Sequence, residues 1–165
     1  MVYILVVKQI SPGDTYQIRH IVLRPNQTID ECKYGDDFQE NALHLGAFLH
    51  GKLISIASYY EEINKNFNEN VQYHLREMAT LNEFRNLGAG SALIECAETI
   101  LLKRNADLWW CNARISASSY YEKLGLNVFG GMFTIDPIGP HKLMHSSESS
   151  ILTKYLEFKI LYIKE

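Results

Sequence analysis

The stretch Arg85-Asn86-Leu87-Gly88-Ala89-Gly90-Ser91 decides the fold, because it connects a strand pattern to a helical one. The preceding residues 71–80, VQYHLREMAT, are typical of a strand. After the stretch, apolar residues recur at helical spacing, as Leu93, Ile94, Ala97, Ile100 and Leu101. The glycines at 88 and 90 let a ligand approach the backbone closely, and a helix start offers N–H groups and the positive end of its dipole. The stretch therefore predicts a pyrophosphate site, where Arg85 adds a charge-assisted contact.

Two common phosphate-binding motifs are absent from this stretch. No Gly-Lys-Ser/Thr follows, so it is not a Walker loop, and the two glycines lie too close together for a dinucleotide fingerprint. Two glycines also suit a tight strand-to-helix turn for purely steric reasons. On the loop alone, a structural turn and an unrelated phosphate-binding domain both remain open.

The residues at the start of the chain predict one strand and one helix. Residues 2–8 are typical of a strand, and Asp14 is placed to cap a helix over residues 15–23. This helix is expected to end before Pro25, because a residue that precedes proline avoids the helical region. Residues 26–41 show no periodicity, so we expect a loop there.

The middle of the chain predicts a hairpin and a second helical region. Residues 42–60 are rich in β-forming residues, and His50-Gly51-Lys52 provides a short turn between two strands. Residues 107–112 predict a short buried strand. A further helix is expected to begin with Ser116 as its N-cap and to stop at Gly125.

Two last strands, residues 128–135 and 142–144, complete the pattern. The strand–helix–strand order in the middle implies one parallel pair in a mostly antiparallel sheet. We therefore expect an α/β (α+β) fold, a mixed, mostly antiparallel central sheet of about seven strands flanked by helices. The tail, residues 149–165, carries apolar residues on almost every side, and a docked helix and a dimer contact are the alternatives for it.

Composition and charge limit the classes of partner. The chain of 165 residues is the size of one domain and contains 47% hydrophobic and 21% charged residues, as folded proteins do. Its formal net charge of -3 provides no basic field for nucleic acid or an anionic membrane. A small molecule or a peptide is the expected partner.

The cysteines and the first residues predict the compartment. Cys32, Cys96 and Cys111 are odd in number and irregularly spaced, which indicates neither a disulfide scaffold nor a metal site. The opening MVYILVVKQI is too short for a signal peptide or a membrane span. A cytoplasmic location is therefore expected.

Two motifs together resemble the GNAT acyltransferase superfamily. Arg85 to Gly90 matches the family's central Arg/Gln-x-x-Gly-x-Gly/Ala motif in full, and residues 121–126, Tyr-Glu-Lys-Leu-Gly-Leu, are similar to its second signature. The resemblance covers residues 1–146, expected as one acetyltransferase domain with the acyl-CoA N-acyltransferase fold. Residues 147–165 would then form a C-terminal extension, packed on the domain or at a homodimer contact.

The resemblance implies acetyl-CoA as the co-substrate and no metal. The strand residues Met78, Ala79 and Thr80 would offer backbone groups to the pantetheine arm, as to a neighbouring strand. A backbone N–H near Met78 or Thr80 would polarise the thioester carbonyl. Main-chain N–H groups of the loop would wrap the pyrophosphate; its residues are Arg85, Asn86, Leu87, Gly88, Ala89, Gly90 and Ser91.

The resemblance also implies the chemistry. Tyr121 matches the family tyrosine that protonates the leaving thiolate, with the adjacent Tyr120 as the alternative. The amine would attack acetyl-CoA directly, because Cys96 and Cys111 lie in apolar patterns typical of structural thiols.

An incoming amine must lose a proton before it attacks. Glu77 is the candidate base, and His74 or His141 acting through a water is the alternative. Glu77 is equally compatible with a structural pair to Arg76 or Arg85, or with solvation where the sheet splays.

The implied function is N-acetyl transfer to a primary amine of an unidentified acceptor, and the alternative is a non-catalytic acyl-CoA-binding sensor.

Residues near the first helix are expected to line the acceptor side of the site: Arg19, Arg24, Asn26 and Gln27. Arg24 could hold an acceptor carboxylate, although surface solvation or a contact at a helix C-terminus explains these arginines equally well. The aromatic residues of the later strands are expected in the core: Tyr59, Tyr60, Phe129 and Phe133.

Overall fold

A computed structural model describes residues 4–163, with side chains for residues 4–156. Its strands are β1 (Leu5–Gln9), β2 (Leu43–Leu49), β3 (Lys52–Glu61), β4 (Gln72–Thr80), β5 (Leu108–Arg114), β6 (Asn127–Ile135) and β7 (Gly139–Ser147). Its α-helices are α1 (Pro12–Ile18), α2 (Ala89–Lys103), α3 (Ile115–Lys123) and α4 (Glu148–Ile163). The strand order is β1-β2-β3-β4-β5-β7-β6. β4 and β5 are parallel, whereas β1–β2, β2–β3, β5–β7 and β6–β7 are antiparallel. The predicted fold class, a mixed and mostly antiparallel sheet with helices, is confirmed.

The chain divides into two compact units. The first contains residues up to 61 together with 75–101 and carries β1, β2, β3, the end of β4, helix α1 and helix α2 up to residue 101. Its sheet is closely packed: a Cβ placed on Gly46 would lie 2.6 Å from Leu53 Cδ1, so only glycine fits there unless that side chain moves. One hydrophobic cluster of this unit joins helix α1 to the sheet through Ile18, Ile56, Ala79 and Leu81.

The second unit contains residues 62–74 and those from 102 onward. The start of β4 pairs here with β5, Gln72–His74 against Leu108–Trp110. Leu108, Trp110 and Leu143 form a buried cluster, and half-buried Phe67 packs on it.

The first helix begins earlier than the sequence predicts. Its N-cap is Ser11, and Asp14, predicted as the cap, accepts hydrogen bonds from the Ser11 backbone N–H and hydroxyl as the other half of a capping box. A π-helical turn, Arg19–Leu23, continues it, and the helical path ends before Pro25 as expected. The predicted loop 26–41 contains two short 3-10 turns, Ile29–Cys32 and Gly35–Phe38.

Helix α3 begins two residues earlier than the sequence predicts. Its N-cap is Arg114 rather than Ser116, while Gly125 follows the helix end with a φ of +96°, as a helix stop requires.

The expected aromatic core is half correct. Tyr59 and Tyr60 are buried on β3, but Phe129 is 41% and Phe133 36% exposed. Both belong to β6, which is an edge strand and is largely exposed.

The C-terminal tail forms helix α4 up to Ile163, and residues 164–165 lie outside the described part. Ile151 is buried, Leu152 and Leu156 are exposed, and Lys154 Nζ donates to the Leu124 carbonyl at 3.2 Å. Within residues 4–163, no helix combines the length and the hydrophobicity that crossing a bilayer demands.

Candidate active site

The loop between β4 and α2 has the backbone geometry of an anion site. Asn86 and Gly88 adopt left-handed conformations, with φ of +63° and +83°, and helix α2 begins at Ala89. The Ala92 N–H donates to the Gly88 carbonyl at 3.0 Å. The N–H groups of residues 89–91 precede this bond in the first turn and therefore point out of the helix end. Together with the dipole of a 15-residue helix, this end favours a negative group.

The sequence predicted the role of Gly88 in this loop but not the conformation of Asn86. Gly88 was expected to permit close approach, and a Cβ there would meet nothing within 4 Å, so the positive φ is what requires glycine. The conformation of Asn86 was missed, although asparagine is the residue besides glycine that most readily adopts it. Arg85 is exposed, which leaves its guanidinium accessible to a phosphate.

The end of β4 lies beyond its pairing with β5. Among the described residues, that parallel pairing covers Gln72–His74 and does not reach Met78–Thr80. On the β3 side, Ser55 Oγ donates to the Ala79 carbonyl at 3.0 Å and lies 2.7 Å from Thr80 Oγ1. These contacts fix the strand that carries the three residues expected to meet the pantetheine arm.

Tyr121, in the second unit, lies on helix α3 and is half-buried. Burial, and to a smaller extent the neighbouring Cys111 and Tyr120, raise the pKa of its phenol. The rings of Tyr120 and Tyr121 meet edge to face with centroids 5.4 Å apart. The Leu126 N–H donates to the Tyr121 carbonyl at 3.1 Å and fixes the end of the helix. Tyr120 is the more exposed of the two tyrosines.

Glu77 forms an ion pair with a partner that the sequence did not predict. Its two carboxylate oxygens accept hydrogen bonds from Nη1 and Nη2 of Arg24, at 3.0 and 2.9 Å. The expected partners were Arg76 and Arg85, but Arg76 is paired with Asp36 at 2.8 Å. Glu77 and Arg24 are 53 positions apart, so no sequence spacing could have joined them.

Arg19 belongs to a buried network, not to an acceptor wall. Its guanidinium is fully buried and donates to Asp37 at 2.8 and 2.9 Å, to the Cys32 carbonyl at 3.0 Å, to Ser58 at 2.9 Å and to Tyr60 at 3.1 Å. Burial alone would raise the pKa of Asp37, but hydrogen bonds from Arg19 and Tyr60 outweigh it and hold the pKa below its ordinary value. This network anchors the segment 26–41 to strand β3.

Comparison with known proteins gives the family. The family described as "Acetyltransferase (GNAT) family" matches residues 13–126, which include the loop, β4 and Tyr121. A Bacillus subtilis (strain 168) protein, named uncharacterized N-acetyltransferase YitI, is 46% identical over 143 residues, covering 87% of this chain and 96% of that protein. The chain belongs to the GNAT acetyltransferase family.

The fold of this acetyltransferase is found in solved structures of distant relatives. The ribosomal-protein-S18-alanine N-acetyltransferase of Escherichia coli is similar with a TM-score of 0.67 at 17% identity, covering 87% of this chain and 94% of that one. An aminoglycoside 6′-N-acetyltransferase in complex with coenzyme A has a TM-score of 0.67 at 11% identity, covering 86% and 96%.

Family membership establishes the class of reaction that the protein catalyses. The GNAT protein is an acyltransferase that transfers an acetyl group to an amine, its family uses acetyl-CoA, and its own acceptor is unidentified.

The other residues considered for chemistry in this GNAT protein are engaged in local contacts. His74 stacks on Trp110 with ring centroids 3.6 Å apart, and its Nδ1 lies 2.9 Å from Glu62. His141 is buried, and its Nδ1 lies 2.8 Å from the Gly139 carbonyl oxygen. Both histidines lie in the second unit.

The cysteines of the GNAT protein are poor nucleophiles. Burial raises the pKa of Cys111 to about 12, and it also raises the pKa of half-buried Cys96. Since the thiolate is the reactive form, neither thiol is activated for attack on a thioester.

Proposed function

We propose that this enzyme transfers the acetyl group of acetyl-CoA directly to a primary amine, without an acyl-enzyme. The observation that carries the proposal is the loop Arg85–Ser91, in which left-handed Asn86 and Gly88 lead into the first turn of helix α2. This loop lies inside the segment that matches the family.

The cofactor contacts follow from the backbone. N–H groups between Arg85 and Ser91 hold the pyrophosphate, and the positive helix end and the exposed Arg85 add charge complementarity. Backbone groups of Met78, Ala79 and Thr80 hold the pantetheine arm, and a backbone N–H of this strand polarises the thioester carbonyl.

In the proposed direct transfer, the bonds and protons balance without a covalent enzyme intermediate. The acceptor ammonium gives one proton to Glu77, and the free amine attacks the thioester carbon to form the C–N bond. The C–S bond then breaks, Tyr121 protonates the leaving sulfur, and the second amine proton restores the phenol. The products are an N-acetyl amide and coenzyme A, and the proton on Glu77 returns to solvent.

The structure favours Glu77 over the histidines as the base. A carboxylate has about four lone-pair positions, and Arg24 occupies two of those on Glu77. His74 is engaged with Glu62 and Trp110, and His141 with a backbone carbonyl. Glu77 therefore has lone-pair positions that Arg24 does not occupy.

The test is a screen of amines for acetyl-CoA-dependent thiol release, followed by initial-rate kinetics. Intersecting double-reciprocal lines are expected for direct transfer, and parallel lines would indicate an acyl-enzyme. A variant with Cys96→Ala and Cys111→Ala should keep intersecting lines. Failure of millimolar acetyl-CoA to bind in calorimetry would refute the proposal.

The acceptor class and the assembly are also proposals. A small molecule or a peptide amine is expected, and the named relatives act on one of each kind. A cytoplasmic location, and α4 packing on residues 1–146 or at a homodimer contact, remain predictions from the sequence. The buried Ile151 supports packing, and the exposed Leu152 and Leu156 are compatible with a contact between copies.

A further inference from the structure

The ion pair between Arg24 and Glu77 lies directly before the strand residues proposed to hold the cofactor. Glu77 is adjacent to Met78 on β4, and its side chain is 6% exposed, whereas that of Arg24 is 28% exposed. A ligand can therefore reach the arginine more easily than the carboxylate. The pair has one half-exposed member and one buried member.

The guanidinium of Arg24 has unused hydrogen-bonding capacity. An arginine carries five N–H donors in a rigid fork, and Arg24 donates from Nη1 and Nη2 to Glu77. No other side-chain acceptor for it is found among the described residues. The remaining donors are suited to a planar carboxylate, which arginine binds in a bidentate manner.

Tyr34 fixes this guanidinium from one side. The Arg24 guanidinium carbon lies 5.4 Å from the centre of the Tyr34 ring, within the range of a cation–π contact. One group of donors is thus directed to Glu77, and an aromatic ring lies near the guanidinium. A guanidinium held in this way has already lost most of the freedom that ligand binding would otherwise remove.

The hydroxyl of Tyr34 is a second sign of a ligand site. It is buried beside the Glu77 carboxylate and forms no hydrogen bond of ordinary distance and angle within residues 4–156. Burial and the nearby Glu77 carboxylate raise the pKa of this phenol to about 12, so it remains a neutral donor. A buried hydroxyl without a well-formed hydrogen bond is costly, and a polar ligand that reaches it would provide one.

The charges around Tyr34 are balanced before a ligand binds. Arg24 is paired with Glu77, and the two other guanidinium groups near the ring have carboxylate partners of their own, Arg19–Asp37 and Arg76–Asp36. A ligand with a single charge would disturb this balance. A ligand that brings one positive and one negative group would preserve it.

We propose that Arg24 binds the carboxylate of an acceptor whose amine contacts Glu77, so that the preferred acceptors are amino acids with neighbouring amine and carboxylate groups. The Arg24 donors that do not contact Glu77 belong to the same small planar guanidinium as those that do. An acceptor that contacts both Glu77 and these donors must therefore carry its amine and its carboxylate close together. The chemical step is the one already described: the acceptor ammonium passes a proton to Glu77 and attacks acetyl-CoA. This inference rests on the proposed function, and Arg24 is a specificity residue within it.

The first test compares matched acceptors with the wild-type enzyme. Each of the common amino acids, its C-terminal carboxamide and the corresponding decarboxylated amine are assayed by thiol release with acetyl-CoA. At least one amino acid should exceed both of its analogues in kcat/KM by about tenfold or more, because a bidentate charged contact is lost in the analogues. Acetylation of amines or carboxamides with no preference for any amino acid would overturn the inference.

The second test assigns that preference to Arg24. In Arg24→Gln, the ratio of kcat/KM for the amino acid to that for its carboxamide should fall toward one, mainly through KM, and Arg24→Lys should keep part of it. Arg76→Gln is the matched control, since Arg76 is also half-exposed, paired with a carboxylate and close to Tyr34. It should leave the ratio unchanged. If Arg24→Gln slows both acceptors equally, Arg24 acts only through Glu77 and the inference is wrong.

Binding of acetyl-CoA separates this inference from the function on which it rests. Calorimetry with wild-type enzyme that shows no acetyl-CoA binding contradicts the proposed function. Binding together with acetylation of simple amines, but without preference for amino acids, contradicts only the inference. If Arg24→Gln does not fold, the comparison of wild type with Arg24→Lys still decides.

Discussion

At the scale of single residues, Tyr121 carries the chemical prediction. Burial raises the pKa of its phenol, so the group carries a proton at neutral and moderately alkaline pH that it can give to the thiolate. In Tyr121→Phe we expect kcat to fall by about a hundredfold or more, with acetyl-CoA affinity within about twofold, because only the proton donor is lost. Thiol release measures the first quantity and calorimetry the second.

The neighbouring Tyr120 provides the control for this substitution. Tyr120→Phe removes the hydroxyl of the more exposed tyrosine on the same helix and should change kcat by less than about threefold. If the two variants exchange these effects, Tyr120 is the acid. If neither variant slows acetyl transfer, the leaving thiolate obtains its proton from elsewhere.

At the scale of elements, the loop before helix α2 depends on Gly88. In Gly88→Ala the positive φ of +83° places the new Cβ under strain although the space around it is empty, so we expect a loss of about 1 kcal/mol in stability. Relief of the strain turns the first N–H groups of the helix away from the pyrophosphate. Acetyl-CoA affinity should fall on the order of tenfold, as measured by calorimetry.

Gly51 is the matched control for Gly88. It has a φ of +79°, equally empty surroundings and the same unit, but lies in the β2–β3 turn. Gly51→Ala should cost similar stability and leave acetyl-CoA affinity unchanged. A loss of affinity in both variants would show that destabilisation, not the loop, weakens binding.

The network around Arg19 determines how the segment 26–41 responds to acid. Asp37 has a lowered pKa in the folded state, so its contribution to stability is complete above the unfolded pKa of about 3.9 and is lost as pH falls through the lower folded value. Asp37→Asn should cost about 3 to 5 kcal/mol at pH 7, since it leaves the buried Arg19 charge without its carboxylate. Urea unfolding followed from pH 7 to pH 3 should show a smaller acid dependence in the variant.

Asp36→Asn tests whether burial is the reason for this cost. Asp36 is the preceding residue and pairs with Arg76, but its side chain is 50% exposed. The loss of an exposed pair should cost less than about 1 kcal/mol. Equal costs at positions 36 and 37 would contradict the role assigned to the buried network.

At the scale of the whole molecule, binding of the co-substrate should stabilise the fold. At about one hundred times its dissociation constant, acetyl-CoA should contribute about 2.7 kcal/mol, which corresponds to a rise in Tm of about 5 to 10 °C for a chain of this length. Differential scanning fluorimetry measures the shift. An equal or larger shift with ATP would favour a general phosphate site over a coenzyme A site.

The sequence by itself determined the local elements and the family. Strand and helix periods, the two-glycine loop and Gly125 are short-range signals, and they placed β4, α2 and the end of α3 correctly. The N-caps were wrong by a few residues, at Ser11 and Arg114, because several polar residues near a helix start can fill that position.

Only the tertiary structure decided which side chains meet across the chain. Arg24 lies just after the first helix and pairs with Glu77 on β4, and Tyr34 and Asp37 belong to the segment 26–41, which has no periodicity. Such contacts arise because buried charges must find partners, and that requirement is fulfilled in space and leaves no fixed spacing along the chain.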